Sequence, residues 1–419
     1  MSRTRDRSRR HDVVLWGATG FTGALVAEYL AEGLAESGLR LALGGRSHRK
    51  LETLRDRLAE RSPEAADLPL VVADSHDRPS LDTMAVETEV VCTTVGPYAK
   101  YGHELVGACV DAGTDYCDLT GEVPFIRAMI DRYHERARST DARIVHCCGF
   151  DSIPSDLGTL MLQEAAVERF AVPVDRVTLV VGASRGGFSG GTVASLTNVV
   201  EQAKADREIR RIISDPYALN PHDERRGPDG PDRLGPRFDP ELGRWTGPFV
   251  MASINTRVVR RSNALLGWRY GRDFRYAEVT GFSSGLKGRI AAGAVAAGLG
   301  AFVGALGLGP TRTLLQKTVL PKPGEGPDLE TRENGFFNIS LHGRGASTDK
   351  GDCELTARVR GHKDPGYGET ATMLGEAALC LALDGAELPS PGGVLTPASA
   401  MGMTLIGRLR RAGMVFAVD

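Results

Sequence analysis

Three glycines, Gly17, Gly20 and Gly23, recur at a fixed step in VVLWGATGFTGALVAEYL (residues 13–30), between an apolar run and an amphipathic helical pattern. Each has a physical use there. The first permits a tight turn, the second lets backbone approach a pyrophosphate, and the third lets helix and strand pack closely. The helix N-terminus adds free N–H donors. Gly17, Ala18, Thr19, Gly20, Phe21, Thr22 and Gly23 therefore form a candidate dinucleotide cradle. An NAD-preferring site carries Asp or Glu at the end of the second strand. Gly44-Gly45-Arg46-Ser47 stands there instead. No carboxylate repels a phosphate, and Arg46 with Ser47 can bind one, so NADP(H) is the expected cofactor. The competing role for Arg46 is stacking on the adenine.

Further polar residues follow successive strand-like runs. Asp74 closes the third, where it either contacts the adenine side of the cofactor or only forms a turn. Thr94, Val95, Gly96 and Pro97 close the fourth, at the switch point where the middle of a dinucleotide lies. Tyr98, Tyr101 and His103 come next, beside the expected nicotinamide. Glu122 follows the fifth run, and Asp151 and Ser152 follow the sixth. Polar residues after parallel strands line one crevice, so these three are candidate substrate contacts. The structural alternatives are that Glu122 sits in a first helical turn and that Ser155 or Asp156 caps a helix.

These residues need a scaffold that brings strand ends together. Apolar runs at 13–17, 39–45, 68–74, 88–96, 115–119 and 142–148 alternate with helical patterns, which predicts an α/β fold with a Rossmann-type doubly wound parallel sheet over residues 12–150. From 151 to 390 the pattern predicts an α+β domain with a mixed sheet. Its helices are expected at 155–170, 192–213 and 369–384, and its strands at 176–183, 249–260, 274–282, 336–343 and 353–361. Residues 214–248 contain seven prolines and read as a long loop, a mobile cover or a solvated insertion. A C-terminal helix over 391–419, with Thr396 as N-cap, is expected to pack back on the first domain.

Residues 290–309 carry no charge, with six glycines and seven alanines. Length alone permits a membrane span, but small residues make insertion weak. A buried or interface helix is expected, with contact to a lipid surface as the alternative. The first eleven residues hold five arginines and one aspartate without an apolar core, which reads as a disordered basic arm rather than a signal peptide. A net charge of −2 gives no electrostatic reason for nucleic-acid binding. Seven cysteines without a C-x-x-C pair or a His at ligand spacing read as reduced thiols of a cytoplasmic protein, with no metal site. Peripheral membrane association remains open through 290–309.

GATGFTG, VGPY, DLTGE and GFDSIPSDLG, with PGEGPDLETRENGFF (323–337), DPGYGETATMLGEAALCLALD (364–384) and GGVLTPASAMGMTLIGRL (392–409), resemble the saccharopine dehydrogenase-like oxidoreductases, in their trans-acting enoyl reductase branch. The resemblance implies reduction of an activated carbon–carbon double bond in a lipid or polyketide chain. The chain would be held as a thioester on a separate polyketide or fatty acid synthase lacking its own reductase. Hydride addition leaves an enolate that needs donors and a proton. Tyr98 is then the first candidate donor, with Tyr101 and His103 behind it, because a tyrosine of pKa about 10 stays protonated at neutral pH. Reduction of an imine or ketone on the same scaffold, and a non-enzymatic NADP-binding or lipid-associated role, are the competing functions. A homodimer through the second domain is the expected assembly.

Overall fold

Strands buried on both faces need continuous apolar sequence; the first six apolar runs form strands, of which all but the third, a partly exposed edge strand, are buried along their length. They are β1 (His11–Trp16), β2 (Leu41–Gly45), β3 (Leu70–Val72), β4 (Thr88–Thr93), β5 (Asp115–Asp118) and β6 (Arg143–Val145). The computed structural model describes residues 8–186, 190–308, 310–311, 326–347, 349, 351–389 and 391–419, with only the backbone at 190–194. Beyond β6 come β7 (Arg176–Arg185), β8 (Arg237–Asp239), β9 (Arg244–Pro248), β10 (Arg275–Gly281), β11 (Phe336–Arg344), β12 (Glu354–Gly361), β13 (Gly393–Leu395) and β14 (Val415–Val418).

The strands form two seven-stranded sheets, ordered β13-β6-β5-β4-β1-β2-β3 and β14-β12-β11-β7-β10-β9-β8. The first sheet is parallel throughout, as the Rossmann-type expectation required. In the second, only β7 and β10 run parallel, so that sheet is mixed.

The two halves interlock more than the expected boundaries allow. β13, from the C-terminal segment, pairs with β6 and completes the first sheet, while β14 joins the second. The expected single helix over 391–419 is thus a strand, helices Pro397–Ala400 and Gly402–Arg411, and a second strand. Thr396 does cap the first of these helices, accepting from the Ser399 N–H. Helix Gly368–Leu383 is apolar nearly all round and buried, packed against helix Phe21–Glu32 and strands β1, β4 and β5.

Residues 249–260 form helix Ala252–Leu265 instead of a strand. Its β-branched Ile254, Thr256, Val258 and Val259 imitate a strand, and its arginines are buried with them. Arg257, Arg260 and Arg261 are at most 4% exposed, as is Arg127 on helix Val123–Ser139. Together they hold the proline-rich segment, which is therefore no free cover. Arg257 pairs with Asp232 within the segment and donates to the Ile213 carbonyl just ahead of it at 3.1 Å, and Arg260 donates to the Pro216 carbonyl at 2.9 Å. Arg261 donates to Leu219 and Val394, and Arg127 to Ala218 at 3.1 Å and Asn220 at 2.9 Å. A segment without its own backbone ladder leaves carbonyls that must be satisfied, and guanidinium groups do so here. Residues 237–248 form the β8–β9 hairpin at the edge of the second sheet.

The helix expected over 192–213 breaks at Asp206 into Gly190–Ala205 and Arg207–Ser214, with the Asp206 carboxylate capping the Glu208 N–H at 2.7 Å. The apolar stretch is helix Leu286–Gly307, and it lies on the surface rather than in the core, with Ile290 63% exposed. Its expected last residue, 309, lies outside the described residues, as does most of the basic arm, residues 1–7. Arg9 is ordered, donating to Thr114 Oγ1 at 2.5 Å and the Ala112 carbonyl at 2.8 Å, and His11 already belongs to β1.

Candidate functional site

The glycine turn has the geometry its sequence implied. Gly17 sits at φ +85°, and a Cβ there would lie 2.5 Å from Val95 Cγ2. A Cβ on Gly23 would stand 2.1 Å from the Gly17 carbonyl oxygen, so helix and turn touch directly. Gly20 differs, because its Cβ would meet only Gly17 O, at 3.3 Å. It is exposed, as is Thr19, while Ala18 is turned inward with its N–H on the Gly44 carbonyl at 3.1 Å. Helix Phe21–Glu32 starts here with no side-chain cap and no acid in its first turn. Its positive end and free N–H groups face the open side of Gly20, a surface that fits a pyrophosphate.

Thr94 and Val95 meet this turn from β4, Thr94 Oγ1 donating to Gly17 O at 3.3 Å. Phe21 ties the turn to the second half, packing edge-on to Tyr367 at 4.8 Å with the Arg332 guanidinium 5.7 Å from its ring. Of the two candidates after β2, Ser47 caps helix His48–Ala59 through the Lys50 N–H at 3.4 Å. Arg46 is exposed and has no hydrogen bond among the described residues, with exposed Arg49 and Lys50 beside it. Asp74 is a turn-former, accepting the His76 N–H at 2.9 Å, which holds its carboxyl below the usual range.

At the carboxyl ends of β4, β5 and β6 several candidates take different roles from those expected. Gly96 and Pro97 are joined by a cis peptide and lead into the turn Tyr98–Tyr101. The Tyr98 hydroxyl is buried, donating to the Thr93 carbonyl at 3.3 Å and accepting from the Leu119 N–H at 3.2 Å. It stitches two strand ends together and is not free to donate to a substrate. Glu122 is equally committed. Its buried carboxylate accepts the N–H groups of Tyr98 at 2.9 Å and Ala99 at 3.0 Å, and the Ser195 hydroxyl at 2.8 Å. Ser152 is fully buried and donates to Asn255 Oδ1 at 2.9 Å; Asn255 reaches Glu278 at 2.9 Å, so this chain anchors the loop to the second sheet. Tyr101 is half-buried, edge-on to His76 at 5.5 Å. His103 lies edge-on to Phe125 at 5.2 Å, its pKa lowered by burial and then by Arg132.

Two groups outside the candidate site residues organise this edge, Asp118 of the DLTGE motif and His146. Asp118, fully buried at the end of β5, accepts from the Tyr116 hydroxyl at 2.8 Å and lies 2.7 Å from His146 Nδ1. It also accepts the N–H groups of Thr120 at 3.0 Å and Cys147 at 3.2 Å. His146 Nε2 has no partner among the described residues. Cys147 and Cys148 are buried, and burial pushes both thiols well up, away from thiolate chemistry. Burial pushes Asp156 and Glu278 up to about 7 as well, but both are tied into hydrogen bonds, and Asp151 differs from them in that respect. It is half-buried, has no hydrogen bond among the described residues, and is pushed up to about 7 by burial and then by the charge of Asp118. A carboxyl that keeps its proton near neutrality is a proton donor, and this one stands at the same sheet edge as the dinucleotide cradle.

No family model matches the chain. It is 44% identical over 422 residues to a trans-acting enoyl reductase of Mycobacterium ulcerans, with 97% of each chain covered. It is likewise 44% identical over 427 residues, again with 97% of each covered, to a trans-acting enoyl reductase of Mycobacterium tuberculosis. Among solved structures it is similar to apo saccharopine dehydrogenase (L-Glu forming) from Saccharomyces cerevisiae. That match has a TM-score of 0.51 and 13% identity and covers 97% of this chain and 99% of the other.

Proposed function

The chain belongs to the trans-acting enoyl reductase family, and from that premise we propose that it reduces the double bond of an enoyl thioester carried by a separate synthase, using NADPH. A nicotinamide bound across the sheet edge would supply hydride to the β-carbon. The chain's own residues do the rest. The Gly17–Gly23 turn and the start of helix Phe21–Glu32 hold the pyrophosphate, and Arg46, flanked by Arg49 and Lys50, holds the ribose 2′-phosphate. Asp151 delivers a proton to the α-carbon as the C=C bond becomes C–C, so one hydride and one proton are consumed per turnover.

The observation that carries this reading is the half-buried Asp151 carboxyl, which has no hydrogen bond among the described residues and stands on the cradle's own edge. It takes over the donor role expected of Tyr98. Tyr101 and His103 line the same approach as candidate contacts to the thioester.

The decisive experiment uses NADPH deuterated at C4 with an enoyl thioester. Deuterium at the β-carbon of the saturated product is expected. Its absence across a panel of enoyl thioesters, with transfer to an imine or ketone instead, overturns the reading. Cofactor choice has its own test. Arg46→Ala is expected to raise KM for NADPH about 10- to 100-fold, the worth of one or two lost charge-assisted hydrogen bonds, and to leave KM for NADH unchanged. Equal effects on both cofactors would remove Arg46 from the phosphate site.

A further inference from the structure

Beside helix Val123–Ser139 lies an open groove of about 1330 Å³, lined by six arginines and four carboxylates. Asp131 is already paired with Arg127, lies 3.2 Å from His222 and 3.7 Å from Arg225, and Asp215 accepts the Tyr217 N–H at 2.8 Å. Arg207, Arg211 and Arg226 are exposed and make no ion pair among the described residues. Some other surface arginines are paired, although Arg46 and Arg49 make no ion pair among the described residues. Arg78 meets Asp82, Glu104 and Asp111, and Arg344 meets Glu241 and Glu354. Glu208 and Asp223 also line the groove, so its six arginines exceed its four carboxylates by two, on a chain whose net charge is −2.

The groove is close to the candidate site. Glu122 immediately precedes helix Val123–Ser139, and Arg127 and Asp131 lie about 6 and 12 Å along it from its first residue at 1.5 Å per residue. The neighbouring wall, helix Arg207–Ser214, follows directly on the helix whose Ser195 hydrogen-bonds Glu122.

We infer that this groove docks an anionic carrier domain of the separate synthase, with Arg207, Arg211 and Arg226 receiving its acidic face and the phosphodiester of its pantetheine arm. The inference rests on the enoyl-thioester reading of the site. Guanidinium groups match carboxylate and phosphate geometry, and an excess of positive charge steers an oppositely charged partner. A substrate that arrives on another polypeptide needs such a landing surface within arm's reach of the reacting edge.

The test compares the unsubstituted chain with Arg207→Glu/Arg211→Glu/Arg226→Glu on two substrates, the same enoyl group on an isolated synthase carrier domain and on free pantetheine. The triple variant is expected to lose roughly tenfold or more in kcat/KM on the carrier substrate, together with most of its salt dependence. On the pantetheine thioester it should match the unsubstituted chain, which also reports that it is folded. Unchanged kcat/KM on the carrier substrate, or an equal fall on both substrates, overturns the docking assignment. Failure of the unsubstituted chain to turn over either thioester overturns the enoyl-reduction reading instead.

Discussion

Asp151→Asn is expected to lower kcat for enoyl reduction by about 10²- to 10⁴-fold, the range for loss of a positioned general acid, without weakening dinucleotide binding. The substitution keeps shape and removes only the transferable proton. The pH dependence gives a second signature. Burial and the neighbouring Asp118 charge raise the carboxyl from 3.8 to about 7, so the donor form is complete well below neutrality and is lost as pH rises through about 7. For the unsubstituted chain, kcat should then fall with pH above that point, and for Asp151→Asn this limb should disappear from the residual rate. A variant that keeps full activity, or keeps the limb, would return the donor role to another group.

Gly20→Ala and Gly23→Ala are expected to fail in different ways, although both change one glycine of one turn to alanine. At Gly20 the added methyl meets only a carbonyl oxygen at 3.3 Å and otherwise points to the open side. Thermal stability should be nearly unchanged, while Kd for the dinucleotide rises about 10- to 100-fold, because the methyl occupies the pyrophosphate's approach. At Gly23 the methyl would lie 2.1 Å from Gly17 O and 2.9 Å from Thr94 Oγ1. Backbone must separate from backbone, at a cost of about 1–3 kcal/mol or more in folding stability. Parallel thermal melts and nucleotide titrations separate the two. A destabilised Gly20→Ala with intact binding would contradict the assignment of that surface to the pyrophosphate.

The central strands of the first sheet were legible because a parallel strand covered on both faces is largely apolar, so β1, β2 and β4 stand out as runs. The cradle was legible because its glycines answer local constraints. Helix Ala252–Leu265 was not, since the burial of Arg257, Arg260 and Arg261 depends on carbonyls supplied by a distant proline-rich segment. The roles at the sheet edge were hidden for a related reason. Nothing in VGPY tells that the Tyr98 hydroxyl is spent on Thr93 and Leu119, and nothing in GFDSIP separates a free Asp151 from a fully engaged Ser152. Those distinctions arise only when strand ends distant in sequence become neighbours. Asp118 carried one readable signal, a carboxylate closing an apolar strand run, and its partner His146 carried none.

The insertion of β13 beside β6 has a kinetic consequence. During synthesis the nucleotide-binding sheet reaches its sixth strand and then waits, with the β6 edge unpaired, until β7 to β12 have emerged and Gly393–Leu395 can dock. An open edge is a template for wrong pairing, and contacts so far apart in sequence form slowly. Folding of the two halves is therefore one event rather than two, and a fragment cut after β6 would expose an aggregation-prone strand edge instead of forming a free-standing nucleotide domain.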